Sequence, residues 1–123
     1  MRSLLLIAHG SRRAAANEEI RRLAAQLAER MGPRYGHVGC GFLELAEPDI
    51  PAAIDAAVDR GATEIVVLPY FLATGRHVAE DIPAAVAERQ ARHPTVRLRI
   101  AAYPGAAPEM LDLLAALVEA ASD

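Results

Sequence analysis

The chain has 123 residues, 53% of them hydrophobic and 24% charged, which suits one globular domain with a core of its own and sets aside disordered and fibrous classes. A net charge of −3 gives no basic footprint for nucleic acid, and a single cysteine, Cys40, excludes an intrachain disulfide or a Cys-rich metal site. No stretch reaches the ~20 apolar residues of a membrane span, and the first apolar run stops at Ala8, short of a signal-peptide core, so a soluble, cytoplasmic protein is expected, with Cys40 a buried, inert thiol.

The first predicted strand, residues 3–8, is a continuous aliphatic run that delivers "HGSRR" at its end. A helix follows over 17–31, where Ile20, Leu23, Leu27 and Met31 form one apolar stripe and "MGP" closes it. The second strand, 37–43, is entered through His37. Helix 50–60 has Asp49 as N-cap, Pro51 in its first turn and Gly61 at its stop.

A third aliphatic strand covers 64–68, and the following stretch carries Tyr70, Phe71, Gly75, Arg76 and His77. The third helix is predicted over 82–92, with Ile82, Ala85 and Val86 on one side; His93 ends it, where a cation complements the helix dipole. Strand 96–101 and helix 108–121, with Leu111, Leu114, Leu117 and Val118, complete the chain.

This βαβαβαβα alternation has no dividing linker, so residues 1–123 are read as a single α/β domain. Aliphatic strands separated by helices imply a four-stranded parallel sheet, (βα)4, covered on both faces in three layers. The expected strand order is 2-1-3-4, which reverses the winding direction between the first and third strands and leaves a crevice at their carboxyl ends. His9 follows the first strand and His77 follows the third, so both are expected at that edge.

Two imidazoles at such a crevice suit a divalent first-row metal, with Glu44 at the end of the second strand as a third ligand and Glu47 and Asp49 as nearby substitutes. Two nitrogens and one carboxylate leave coordination positions open, as catalysis or transfer requires. The other reading of each histidine is a hydrogen-bonding loop residue, which is the role assigned to His37 and His93. Ser11, Arg12, Arg13 and Arg76 flank the two histidines as substrate-binding candidates, together with Tyr70 and Phe71, and the arginines suit carboxylate binding. Tyr70, Phe71 and Tyr103 are placed either to line an apolar pocket or to pack in the core.

Other tenants of this architecture fit less well. A phospho-accepting receiver domain needs acidic residues after strand one and an aspartate after strand three, where this chain has His9 and Pro69. A flavodoxin-type loop needs a hydroxyl-rich turn, and "HGSRRAAA" has one serine. A histidine phosphatase needs "RHG", and here Ala8 makes it "AHG".

Taken together, "LLLIAHGSR", "FLELAEPDIPAAI" and "VVLPYFLATGRHVAEDIP" resemble the small, single-domain sirohydrochlorin chelatases, class II chelatases, in order and spacing over most of the chain. The resemblance implies insertion of Co²⁺ or Fe²⁺ into sirohydrochlorin, a carboxylate-rich tetrapyrrole on the paths to cobalamin and siroheme, with Ni²⁺ handled by related enzymes. The metal is substrate, and no permanently bound cofactor is expected. The family's metal-binding and catalytic histidines carry onto His9 and His77, with Glu44 as the acidic partner. Longer relatives contain two such halves, so this single half implies a homodimer whose paired crevices form the cleft, with Arg12, Arg13 or Arg76 on the substrate carboxylates. The remaining alternatives are a metal-delivery or regulatory module that binds Co²⁺ without turnover, and a phosphatase that needs no cobalt.

Overall fold

The computed structural model describes residues 1–122, the side chain of His77 excepted. Four strands alternate with four helices: β1 (Arg2–Ala8), α1 (Ala14–Met31), β2 (His37–Phe42), α2 (Ile50–Asp59), β3 (Glu64–Pro69), α3 (Arg76–Arg92), β4 (Arg97–Ile100) and α4 (Glu109–Ala121). Short 3-10 turns follow α1 at Gly32–Arg34 and β4 at Pro104–Ala106. The sheet has the expected order, β2-β1-β3-β4, and every pairing is parallel.

Period-two alternation sorts the strand side chains into two layers. Leu5 and Ile7 of β1 join Ile65 and Val67 of β3 in the main core, beneath Ile54 and Ala57 of α2 and Ile82 and Val86 of α3. Leu4 and Leu6 point the other way and are also buried, on the side where α1 packs over β1 and β2. Burying each such aliphatic side chain contributes about 1.5–3 kcal/mol, which accounts for the unbroken apolar run of the central strand.

Two helices begin earlier than the sequence pattern predicts. Helix α1 starts at Ala14 and α3 at Arg76, with Gly75 as its N-cap, so Pro83 lies inside α3 and not at its start. An interior proline removes one i→i−4 hydrogen bond and costs about 3 kcal/mol. Against that cost, Val78, Ile82, Ala85 and Val86 pack on the core, and their spacing holds only if the helix runs through Pro83.

The expected cover on the second face is incomplete. Helix α4 meets the 3-10 turn Pro104–Ala106 and has no comparable packing on the sheet among the described residues. Its apolar residues Leu111, Leu113, Leu114, Leu117 and Val118 are exposed, and Val66 and Leu68 on the α1 side of β3 are only half-buried.

Polar clips tie the layers together. The Asp55 carboxylate of α2 receives His93 Nε2 at 2.8 Å and Arg89 Nη1 at 3.0 Å, both from the carboxyl end of α3. His93 thus serves as a structural residue, bonded to a carboxylate as well as standing at its helix end. On β1, the fully buried Ser3 hydroxyl shares a hydrogen bond with His37 Nδ1 at 2.7 Å, which satisfies a hydroxyl that would otherwise be stranded.

Burial, and then the Arg60 guanidinium, hold the His37 imidazole below its ordinary value of 6.5. The unfolded chain therefore binds the proton more readily, so this stability is present above the unfolded value and is lost as pH falls below it. Melting temperature is expected to fall as pH drops from 7 towards 5, and His37→Gln should flatten that dependence. An unchanged slope in the variant would show that His37 does not carry it.

Candidate functional site

Parallel pairing continues past the carboxyl ends of β1 and β2, and this brings His9 and Glu44 together. Leu43 N–H donates to the Ala8 carbonyl at 3.0 Å and Glu44 N–H to the His9 carbonyl at 3.1 Å. The side chains then meet, with His9 Nε2 donating to Glu44 Oε1 at 3.1 Å. Between them Gly10 turns the chain at φ +96°, and a Cβ at that position would collide with the Glu44 carbonyl oxygen. Only glycine accepts both the angle and the approach.

A second clamp sets the loop after β1. Asn17, buried in the first turns of α1, accepts from Ser11 N–H at 3.0 Å and donates to the Ser11 carbonyl at 2.8 Å, while Ser11 Oγ accepts from Arg13 N–H at 3.0 Å. Asn17 was not singled out in the sequence; a polar residue within an alanine-rich helix start was the available signal. Ser11 is therefore engaged with its own loop, and Arg12 and Arg13 project from it exposed.

His9 and Glu44 open onto a cavity of about 280 Å³ whose other walls include Leu43, Pro51 of α2, and Val78 and Asp81 of α3. Asp49 also borders the cavity, but its Oδ1 accepts from Ala52 N–H at 2.9 Å as the expected cap of α2. Glu47 contributes its backbone carbonyl, 3.1 Å from Arg21 Nη2. His77 falls in the first turn of α3, next to Val78, and its side chain lies outside the described residues. Among the described residues no three His, Cys, Asp or Glu side chains gather as a metal cluster, so His9 and Glu44 stand as a two-donor pair.

The remaining candidates separate. Arg76 is exposed at the start of α3 and pairs with Glu80 at 3.2 Å. Phe71 packs on the core, whereas Tyr70 faces the α1 side beside Leu23 and Gln26, on the opposite side of the sheet from the His9 cavity. Tyr103 lines a smaller apolar hollow with Ile82 and Ile100. Cys40 is half-buried on β2 and not fully buried as expected, and burial raises its thiol above the ordinary value, which favours the protonated form.

Exposure bears on what the His9–Glu44 pair can do. The two side chains are 57% and 60% accessible, and an exposed pair of this kind is worth about 0–1 kcal/mol to folding. Such a pair adds little to stability but gives an imidazole nitrogen and a carboxylate oxygen access to a hydrated divalent ion, a donor set suited to first-row metals.

The sequence matches the CbiX family model over residues 3–121. It is 41% identical over 83 residues to the sirohydrochlorin cobaltochelatase of Methanocaldococcus jannaschii, covering 68% of this chain and 57% of that protein. Identity to the sirohydrochlorin ferrochelatase of Bacillus subtilis is 33% over 96 residues, 78% of this chain and 36% of that one. The chain thus matches little more than half, or less, of these curated relatives' length. Among solved structures, the CbiX protein of Marinobacter aquaeolei VT8 superposes with a TM-score of 0.81 at 30% identity, covering 98% of this chain and 96% of that chain. The sirohydrochlorin chelatase SirB of Bacillus subtilis subspecies spizizenii, solved with cobalt, gives 0.81 at 28% identity over 98% of this chain and 50% of its own.

If Gly10 is required for the approach of the two loops, Gly10→Ala should destabilise the protein by about 1–3 kcal/mol in urea unfolding, the usual cost of a forced backbone conformation. Asn17→Ala, which strands the Ser11 loop, should cost a similar amount. Wild-type stability in both variants would refute the two clamps.

Proposed function

The chain belongs to the CbiX family, and from that premise we propose that it inserts a divalent metal, Co²⁺ or Fe²⁺, into sirohydrochlorin. The observation that carries this reading is the His9–Glu44 pair, 3.1 Å apart at the carboxyl edge of the sheet and open to a cavity.

Insertion removes two pyrrole protons, strips ligands from the metal and carries it to the ring. An accessible imidazole serves this sequence because it binds the metal through nitrogen and, once the metal has left, accepts a proton through the same atom. Glu44 holds the His9 ring through Nε2 in the metal-free protein and turns its carboxylate to the metal as an oxygen donor once that bond is given up. A site of two nitrogens and one carboxylate, with His77 joining His9 and Glu44, leaves coordination positions for water and for the incoming macrocycle, so the metal remains exchangeable, as a substrate must be. His77 is proposed as the second histidine of the site, and Arg12, Arg13 and Arg76, all exposed, as partners for the peripheral carboxylates. Nickel is a further candidate metal.

A macrocycle is too wide for the cavity of one protomer, and we propose a cytoplasmic homodimer whose two crevices face each other. The 50% coverage of SirB supports a second half across the cleft. No helix among the described residues is long and apolar enough to cross a membrane.

Anaerobic absorbance spectroscopy of sirohydrochlorin with purified protein and Co²⁺ or Fe²⁺ tests the activity. His9→Ala is expected to lower the insertion rate by about 10²-fold or more, in the range for loss of a proton-transferring group, and Glu44→Gln by a smaller factor with weakened Co²⁺ binding. A folded wild-type protein that leaves the uncatalysed rate unchanged with every metal would overturn the proposal. For the assembly, light scattering is expected to give twice the protomer mass, and a monomer with full activity would refute it.

A further inference from the structure

We infer that Arg21 is a positioning residue for Glu44, and that one face of α1 thereby sets the spacing of the two donors. This deepens the metal reading of His9 and Glu44 given above and rests on it.

Residues 43–48 leave β2 and return as an irregular loop, without helix or strand. Its base is firm, because Phe42 N–H donates to the Pro48 carbonyl at 2.8 Å and Phe42 is fully buried. Its middle has little packing of its own. Glu44 is exposed, and Leu45 beside it takes a φ of +65°, a left-handed conformation that a bulky side chain disfavours. Such a residue persists only where its surroundings hold it, and the Leu45 side chain, 53% accessible, supplies little of that hold.

Arg21 supplies it from outside the loop. Its Nη2 donates to the Glu47 carbonyl at 3.1 Å, its Nη1 donates to Glu18 Oε1 at 2.7 Å, and its guanidinium carbon stands 5.4 Å from the centroid of the Phe42 ring. One planar fork therefore bears on the buried base of the loop and on its returning limb, with Glu18 fixing the direction of the fork. Between these two points the chain presents Glu44 N–H to the His9 carbonyl.

Asn17 lies four residues before Arg21, a spacing that makes two side chains neighbours on a helix. It grips the loop after β1 through the backbone of Ser11, as Arg21 grips the loop after β2 through the backbone of Glu47. Both grips fall on main-chain atoms and leave the imidazole and the carboxylate clear. The two donor loops are thus referred to a single helix, and the distance at which a hydrated divalent ion meets His9 and Glu44 is set there.

Two measurements on Arg21→Ala, shown by melting to be folded, test the inference. In the metal-free protein, the Glu44 amide is expected to exchange its hydrogen about tenfold faster, the factor for one lost hydrogen bond, with the Ile7 and Val67 amides unchanged. In titrations with Co²⁺ alone, affinity is expected to fall about 10–100-fold, as when an outer partner of a ligand is removed, and to change little when Glu44→Ala is already present, since the group being positioned is then gone. An unchanged Glu44 amide, or an equal loss of affinity in both backgrounds, overturns the inference. Wild-type protein that binds no Co²⁺ overturns the metal reading itself, and the amide measurement then decides alone whether Arg21 holds the loop. Should Arg21→Ala fail to fold, Arg21→Lys keeps the charge but cannot span Glu18 and Glu47 with one fork; smaller changes in the same directions are expected, and wild-type values in both measurements refute the inference.

Discussion

Strand β1 is the constraint on which the rest of the molecule depends. It pairs in parallel with β2 on one side and β3 on the other, and both of its faces are buried. A strand enclosed in this way tolerates neither a register slip nor a polar side chain without a partner, since a one-residue shift would exchange its two layers. Its register therefore determines where the chain emerges at the carboxyl edge. His9 is the first residue beyond the strand and stands opposite the continuation of β2, which presents Glu44. Placement of the two donors is thus a by-product of burying Leu4, Leu5, Leu6 and Ile7.

The consequence is a separation between stability and chemistry. The hydrophobic layers lie along the strands, whereas the exposed donors lie past their ends and contribute little to folding. Gly10 and Asn17 bridge the two regions: one permits the loops to approach, and the other fixes the loop by its backbone. Precision at the site comes from these neighbours, which hold the loop while leaving the His9 ring accessible to solvent.

Strand positions, sheet order and the cap at Asp49 were legible because aliphatic runs, crossover handedness and turn residues each act locally or through general rules. The start of α3 was not, because Pro83 is a strong local stop signal that the packing of Val78 and Ile82 overrides. Helix α4 showed its apolar stripe plainly, but a stripe specifies only that a surface is to be covered. It does not identify the covering chain. The adjacency of His9 to the second strand's end followed from the fold, whereas the sidedness of Tyr70 depended on one residue of strand parity. That parity is set by β3, and the aromatic itself gives no sign of it. Asn17 escaped notice because its partners are backbone groups six residues away.

The Asp55 clip has a mechanical side. It fastens the middle of α2 to the far end of α3, where Arg89 and His93 stand, while the amino-terminal turns of the two helices supply Pro51, Val78 and Asp81 to the cavity. The groups that set the spacing of the two helices thus lie away from the cavity they wall, so a change at Asp55 would reach the cavity without touching either donor.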